Sequence, residues 1–145
     1  MKNMKQQIRN DLKEAMKAKD KLRTNTLRML LSAIQMEEVN GTKHDATDED
    51  ILKVIAREIK KRKESAEVYA QNGRQDLADN ELAEAEVLQA YQPKQLTDEE
   101  LDALVKEVIA GLDNPNMGAA MQAATKAAAG RVDGKRLSTA VRAAL

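Results

Sequence analysis

Basic side chains are the residues of this chain whose types and spacing could do chemistry, and they form two groups. One group flanks two glycines at a predicted helix–turn–helix near the C-terminus, and the other is a run in the middle of the sequence. Lysine and arginine bind phosphate oxygens, and free N–H groups at a helix start add to that binding. The C-terminal group comprises Lys126, Arg131, Lys135, Arg136 and Arg142. The middle group comprises Arg57, Lys60, Lys61 and Lys63.

The C-terminal group predicts a surface that binds a polyanion. Residues 116–145 carry five Lys/Arg and one Asp/Glu, and residues 45–115 carry nine and eighteen, although the whole chain has no net charge. With no Phe and no Trp, the chain lacks the aromatic platforms on which single-stranded bases stack. The pattern therefore favours recognition of the backbone and shape of a structured RNA, and no DNA partner is expected. The alternative is a solvated cationic surface without a ligand.

The middle group is open to the same interpretation, with an ordinary solvated helix face as the alternative. On such a face, Lys60 would pair with Glu64 and Lys63 with Glu67 at four-residue spacing. Arg62 differs from its neighbours because it interrupts an apolar stripe of the predicted third helix. We expect its methylene groups to lie along the core and its guanidinium to bond a carboxylate, for example on the following helix.

Catalytic and metal-binding machinery is not evident in the sequence. The single histidine, His44, lies beside Asp45 in a polar loop, a composition that loops often have without any chemical role. The six glycines are scattered singly, no serine lies in a nucleophile elbow, and there is no cysteine. Acidic pairs lie at helix starts and on solvent faces, where capping accounts for them. We therefore predict a protein that is not an enzyme by itself, with no cofactor and no metal site.

Apolar residues recur at helical spacing along the chain and predict seven helices. Thr47 and Thr97 are each followed by three acids, the pattern of a capping box at a helix start. The predicted helices of the first part are Met4–Lys19, a second one ending at Asn40-Gly41, a third from Thr47 to Asn72-Gly73, and Gln75–Tyr91. Those of the second part run from Thr97 to Ile109 and from Met117 to Ala129, where Gly130 stops the helix, and a short last one reaches Leu145.

The predicted fold class is all-α, with an N-terminal four-helix unit followed by a smaller three-helix C-terminal unit. Pro93 marks the boundary because proline cannot continue a helix and disfavours helical angles at Gln92. The predicted domains are residues 1–92 and 93–145. No apolar run approaches the roughly 20 residues of a membrane span, and no signal peptide is recognisable. Together with the absence of cysteine, these features predict a cytoplasmic protein without membrane association. The lysine-rich N-terminus is interpreted as a first amphipathic helix, with a mitochondrial presequence as the less favoured alternative.

Several blocks of the sequence resemble the YqeY family, the stand-alone relatives of the helical tail of the GatB subunit of tRNA-dependent amidotransferases. The blocks lie at residues 27–34, 58–65, 73–78, 91–96, 117–121 and 130–134 and extend over almost the whole chain. The fourth reads Tyr91-Gln92-Pro93-Lys94-Gln95-Leu96, and the last reads Gly130-Arg131-Val132-Asp133-Gly134. The resemblance implies a larger N-terminal and a smaller C-terminal helical domain. One departure is Ala127-Ala128-Ala129, where such tails are expected to carry larger or charged residues.

The resemblance also implies a function. In amidotransferases the related tail helps to hold the tRNA while other domains phosphorylate and amidate its misacylated amino acid. Neither the kinase-like cradle nor the glutaminase chemistry appears here. A carbon–nitrogen ligase label would therefore describe the enzymes in which the related domain occurs, and this chain could not perform that reaction by itself. We expect a non-catalytic accessory protein that binds tRNA or another structured RNA through its C-terminal helical domain. The alternatives are a protein-interaction module docking on a partner enzyme, and a subunit of a glutamine-dependent carbon–nitrogen ligase.

Overall fold

The computed structural model describes residues 3–145, and over that range the chain folds into seven α-helices with no strand. The prediction of an all-α fold is confirmed. The chain divides into two compact units, one ending at Tyr91 and the other beginning at Gln92. The first unit contains α1 (Met4–Lys17), α2 (Lys21–Val39), α3 (Asp48–Gln71) and α4 (Gln75–Gln89). The second unit contains α5 (Asp98–Ala110), α6 (Met117–Ala128) and α7 (Gly134–Ala144).

Polar side chains cap the starts of α3 and α5, as the sequence predicts. Thr47 and Thr97 each accept a hydrogen bond from the third residue of their helix, whose carboxylate accepts one from the backbone N–H of the threonine. Both capping boxes are therefore confirmed, and each satisfies two backbone donors that the helix itself cannot. Hydrogen bonds from the Thr47 and Thr97 groups also lower the pKa values of Asp50 and Glu100 below the ordinary range of a carboxyl.

Aliphatic side chains of all four helices fill the core of the first unit. This composition follows from a chain with only two tyrosines and no other aromatic residue. The helices present one apolar stripe each, so burying the stripes together removes them from water. The buried residues of this core are Ile8, Leu27, Leu30, Ile34, Ile51, Val54, Ile55, Ile59, Ala85 and Leu88.

A buried guanidinium lies next to this core. Arg62 of α3 has only 4% of its side chain exposed, and its Nε donates to Oε1 of Glu84 in α4 at 3.3 Å. Its Nη1 donates to Oε1 of Glu58 at 3.0 Å and to the Glu58 carbonyl at 3.1 Å. Its Nη2 lies 3.8 Å from the Met29 sulfur of α2. The prediction that Arg62 bonds a carboxylate on the following helix is confirmed, and the same side chain also contacts α2.

Tyr91 is the last residue of the first unit, and its side chain contacts α1. Its hydroxyl donates to Oδ2 of Asp11 in α1 at 2.6 Å, and Arg23 of α2 lies 4.0 Å from the same carboxylate oxygen. Burial, followed by the bond to the charged Asp11, raises the pKa of the Tyr91 phenol well above its ordinary value. The residue that ends the first unit is thereby fixed to the first helix of that unit.

Small residues form the centre of the second unit. Ala120, Ala124 and Ala128 lie on one buried face of α6, at four-residue spacing, so neighbouring backbones can approach closely. Larger aliphatic side chains of α5 and α7 pack against this alanine face. The buried residues of this core are Leu96, Leu101, Val105, Ala120, Ala124, Ala128, Leu137 and Val141.

The end of α6 contains a left-handed residue that carries a side chain. Ala129 has φ 48° and ψ 48°, and Gly130 follows with φ 80°. The sequence predicted that the helix would continue through Ala129 and stop at Gly130. The helix instead ends at Ala128, because the chain already reverses at Ala129. A Cβ atom in this conformation costs roughly 1–2 kcal/mol.

Replacing Arg62 by Met should lower the free energy of unfolding by about 3–5 kcal/mol, because the largely buried carboxylates of Glu58 and Glu84 would lose the guanidinium that bonds them. Urea denaturation followed by circular dichroism measures the change. Lys60→Met is the matched control, and because Lys60 is exposed on the same helix its effect should stay within about 0.5 kcal/mol. Adding Glu58→Gln and Glu84→Gln to Arg62→Met should recover part of the loss. Equal effects of Arg62→Met and Lys60→Met would contradict the assignment.

Replacing Ala129 by Gly should raise the free energy of unfolding by about 1 kcal/mol, because glycine adopts positive φ without steric cost. The same denaturation experiment measures it. Ala127→Gly, two residues earlier and inside α6, should instead cost roughly 0.5–1 kcal/mol. If both variants destabilise the protein alike, Ala129 does not hold the left-handed conformation in solution.

Candidate nucleic-acid interface

The C-terminal basic group surrounds the turn between α6 and α7. Asp133 caps α7 by accepting a hydrogen bond from the Arg136 N–H at 2.8 Å. Arg131 lies inside the turn, where its Nε donates to the Ala128 carbonyl at 2.9 Å and its Nη2 donates to the Ala127 carbonyl at 3.0 Å. These carbonyls belong to the last turn of α6, and the Ala128 carbonyl also accepts a hydrogen bond from the Arg131 backbone N–H at 3.0 Å. The Arg131 side chain therefore closes the end of a helix.

Arg136 holds α7 to the segment that precedes α5. Its Nη2 donates to the Leu96 carbonyl at 3.0 Å and to Oδ1 of Asp98 at 2.8 Å. About one third of the Arg136 side chain is exposed, whereas that of Asp98 is 93% exposed. The guanidinium is thus engaged within the second unit and partly withdrawn from an external ligand.

The three other cations of the C-terminal group face solvent. Lys126 lies in the last turn of α6, and Lys135 and Arg142 lie seven residues apart on α7, which places them on one side of that helix. Arg142 Nη2 lies 3.4 Å from the Ser138 hydroxyl. Within residues 3–145 none of the three forms an ion pair with a carboxylate. Their charges are available to a ligand.

A shallow groove of about 420 Å³ runs between α5 and α7 beside these cations. Asp98 and Asp102 line its α5 side, and Lys135 and Arg136 line its α7 side, over an apolar floor that includes Leu101. The carboxylates would repel phosphate from the α5 side.

Two of the sequence blocks that resemble the YqeY family, residues 91–96 and 130–134, contact each other beside the turn between α6 and α7. The Leu96 N–H donates to the Arg131 carbonyl at 2.8 Å, and Nε2 of Gln95 donates to the Gly130 carbonyl at 3.2 Å. A Cβ atom on Gly130 would lie 3.9 Å from the Pro93 ring. Sequence reasoning missed this contact, because no local pattern signals a pairing between segments 35 residues apart. The Gly130 and Arg131 carbonyls, which belong to the basic turn interpreted as a binding motif, thus hold the Gln95-Leu96 segment before α5 in place.

The middle basic group is partly paired. Arg57 Nη2 lies 3.5 Å from Oε2 of Glu37 in α2, and Lys61 Nζ lies 3.9 Å from Oε2 of Glu58. Lys60 and Lys63 are exposed. The predicted pairs of Lys60 with Glu64 and of Lys63 with Glu67 are not formed in the part of the chain that the structure describes. The middle group thus presents exposed cations, two of them close to an acid.

His44 lies in the loop between α2 and α3, where local contacts account for it. Its Nδ1 lies 2.8 Å from the Thr42 carbonyl, and its Nε2 lies 3.6 Å from Oδ2 of Asp50. The bond to Thr42 and then the charge of Asp50 raise the pKa of His44 above its ordinary value. Glu38 anchors the same loop by accepting hydrogen bonds from the Ala46 N–H at 2.8 Å and from Lys5 at 2.7 Å.

Residues 3–145 contain neither a cluster of metal-binding side chains nor a membrane-spanning helix. No group of three or more His, Asp or Glu side chains lies close enough together to hold a metal ion. No helix of that range has the length and apolar character to cross a membrane.

Comparison with known proteins matches a family model to nearly the full chain and individual relatives to 63–75% of it. The family model described as Yqey-like protein matches residues 5–145. A protein of Kluyveromyces lactis named Altered inheritance of mitochondria protein 41, mitochondrial, is 36% identical over 72% of this chain and 58% of its own length. The protein of the same name from Lachancea thermotolerans is 34% identical over 75% of this chain and 59% of its own length. An uncharacterized protein of Schizosaccharomyces pombe is 34% identical over 63% of this chain and 74% of its own length.

These relatives correct one prediction. The chain spans less than two thirds of the length of the first two proteins, and both carry the word mitochondrial in their names. The expectation of a cytoplasmic location is therefore wrong by comparison with the proteins that this chain matches. The prediction rested on the absence of a recognisable signal peptide and of cysteine, and neither observation excludes a mitochondrial protein.

The stability of the protein should fall slightly through His44 as the pH rises above about 6.5. A pKa raised in the folded state contributes stability that is fully present below the unfolded value of about 6.5 and is lost as pH rises through the folded value. An NMR titration of this single histidine should give a pKa above about 6.5. Asp50→Asn should lower the His44 pKa, and His44→Gln should remove this part of the pH dependence of unfolding. A pKa at or below the free-histidine value would contradict the Thr42 and Asp50 contacts.

Proposed function

The chain belongs to the YqeY family of small helical proteins, and on that premise we propose that it is a non-catalytic accessory protein that binds tRNA or another structured RNA through its second unit. The observation that carries the proposal is the set of three exposed, unpaired cations Lys126, Lys135 and Arg142. They lie in a segment, residues 116–145, that contains a single acid, Asp133. Asp133 is occupied in capping α7.

The chemistry of these cations suits phosphate rather than bases. Lysine ammonium groups on flexible stems bind phosphates as point charges and carry little directional information. The second unit, residues 92–145, contains no aromatic side chain on which a base could stack. Its contacts would therefore follow the RNA backbone, and the affinity would depend strongly on salt because binding releases condensed counterions.

Arg131 and Arg136 have a supporting part in this proposal. Their guanidinium groups fix the end of α6 and the start of α7, and those two helices carry Lys126, Lys135 and Arg142. Replacing either arginine would disturb the protein itself as well as any bound RNA. A test of RNA binding therefore belongs on the three exposed cations.

Replacing Lys126, Lys135 and Arg142 together by Gln should weaken binding of bulk tRNA by about tenfold or more at low salt. The slope of log affinity against log salt should become shallower by about one for each cation removed. Filter binding over a series of salt concentrations gives both quantities. Circular dichroism melting should show that the triple variant remains folded, since all three side chains are exposed.

The matched control removes the same charge elsewhere. Lys13, Lys21 and Lys43 are exposed residues of the first unit, and their replacement by Gln should leave most of the tRNA affinity. Equal weakening by the two triple variants would mean that only net charge matters and would contradict a site on the second unit. Absence of tRNA binding at low salt would also refute the proposal. Weakening by Lys60→Gln/Lys63→Gln alone would place the RNA on the first unit instead.

A further inference from the structure

Two methionines of α2 are exposed to water in the first unit. Met29 is 50% exposed and Met36 is 71% exposed, and Val39, three residues further along, is 58% exposed. Met29 and Met36 are seven residues apart, so they lie on the same side of α2. Ala33, between them, is half-buried against the core. Single exposed apolar residues are ordinary, but an aligned set of this kind marks a face that a partner can cover.

The helix α3 runs beside this face and carries cations along it. Two contacts join the helices, Arg62 to the Met29 sulfur at 3.8 Å and Arg57 to Glu37 at 3.5 Å. Lys61 lies one turn beyond Arg57 on the same side of α3. We name the surface formed by Met29, Ala33 and Met36 of α2 with Arg57 and Lys61 of α3 the methionine strip.

The strip presents positive charge to solvent. The side chains of Arg57 and Lys61 are 60% and 72% exposed, whereas those of their acidic neighbours Glu37 and Glu58 are 32% and 11% exposed. Glu58 is also bonded to the buried Arg62. The two acids are therefore less exposed than the cations that lie beside them, and the cations extend into solvent near the methionines.

We propose that the methionine strip is the docking site for an acidic amphipathic helix of a partner protein. Apolar side chains of that helix, spaced three and four residues apart, would cover Met29 and Met36. Its carboxylates would pair with Arg57 and Lys61. Methionine suits such a site because its flexible, polarizable side chain adapts to different apolar surfaces. This proposal does not rest on RNA binding, since its residues belong to the first unit and those proposed for RNA belong to the second.

A helix fits the strip better than RNA does. The cations alone would serve phosphate, but covering the methionines stabilises a complex only if the partner brings apolar surface of its own. A phosphate backbone offers charge and little apolar surface. The combination of exposed thioethers with flanking cations therefore complements a ligand that is apolar on one side and acidic along its edges.

The test follows the methionine methyl groups of the full chain, labelled with ¹³C at Cε, during titration with a designed peptide. The peptide is helical and end-blocked, with leucines spaced three and four residues apart and glutamates on both flanks. The Met29 and Met36 methyl resonances should shift in a saturable way. The Met16 resonance should not shift, although Met16 is 49% exposed on α1. Met36→Glu should weaken binding of the peptide by about tenfold or more, because the substitution removes an apolar contact and adds repulsion between carboxylates.

The controls separate the proposal from weaker explanations. A peptide with lysine in place of every glutamate should bind at least tenfold more weakly, as like charges face each other. Met16→Glu should have no effect on the glutamate peptide. The proposal is overturned if no methyl shifts at millimolar peptide, if Met16 shifts as much as Met36, or if the lysine peptide binds equally well. Shifts of Met29 and Met36 produced by tRNA at lower concentration than by the peptide would assign the strip to RNA instead.

Discussion

The buried guanidinium of Arg62 is the interaction on which the first unit depends. It joins three helices at one point, through Glu84 of α4, Glu58 of its own helix and the Met29 sulfur of α2. Removing a charge from water is costly, so such a group is stable only when nearly all of its donors are bonded. Because those bonds reach two other helices, the position of Arg62 limits how α2 and α4 can lie against α3. The aliphatic core is non-directional by comparison, and it would tolerate small shifts that the guanidinium would not.

The second unit uses guanidinium groups in the same way. Arg131 bonds the last carbonyls of α6, and Arg136 bonds the Leu96 carbonyl and Asp98. A guanidinium has five donors in a fixed plane and can satisfy several oxygens at once, whereas an ammonium is a compact charge that is strongly hydrated. In both basic groups, accordingly, the arginines adjoining a core or a helix end are bonded within the unit. The lysines remain in water, together with the exposed Arg142 of the last turn.

The difference between local contacts and contacts that join distant segments explains which features could be predicted from the sequence. Helix positions, the Thr47 and Thr97 caps and the inward position of Arg62 follow from local spacing, and local spacing is visible in a sequence. The contacts of the Arg131 carbonyl and of the Arg136 side chain with Leu96 were not predicted, because they join segments that meet only after folding. The bond from Tyr91 to Asp11, across 80 residues, was missed for the same reason. A basic residue next to a glycine turn therefore cannot be assigned to a ligand until the carbonyls that the turn exposes have been considered.

The surface that remains is adaptable rather than preorganised. Catalysis needs reacting groups held within a fraction of an ångström by bonded neighbours. In this protein the well-held polar groups, Arg62, Arg131 and Arg136, are turned toward its own backbone and carboxylates. The residues of the two proposed binding sites are mainly lysines, arginines and methionines, whose side chains are long and have several rotatable bonds. Such groups lose entropy on binding and give modest affinity, but they accept ligands of varied shape. That balance suits the proposed accessory role, in which one small helical protein presents charge to one partner and apolar surface to another.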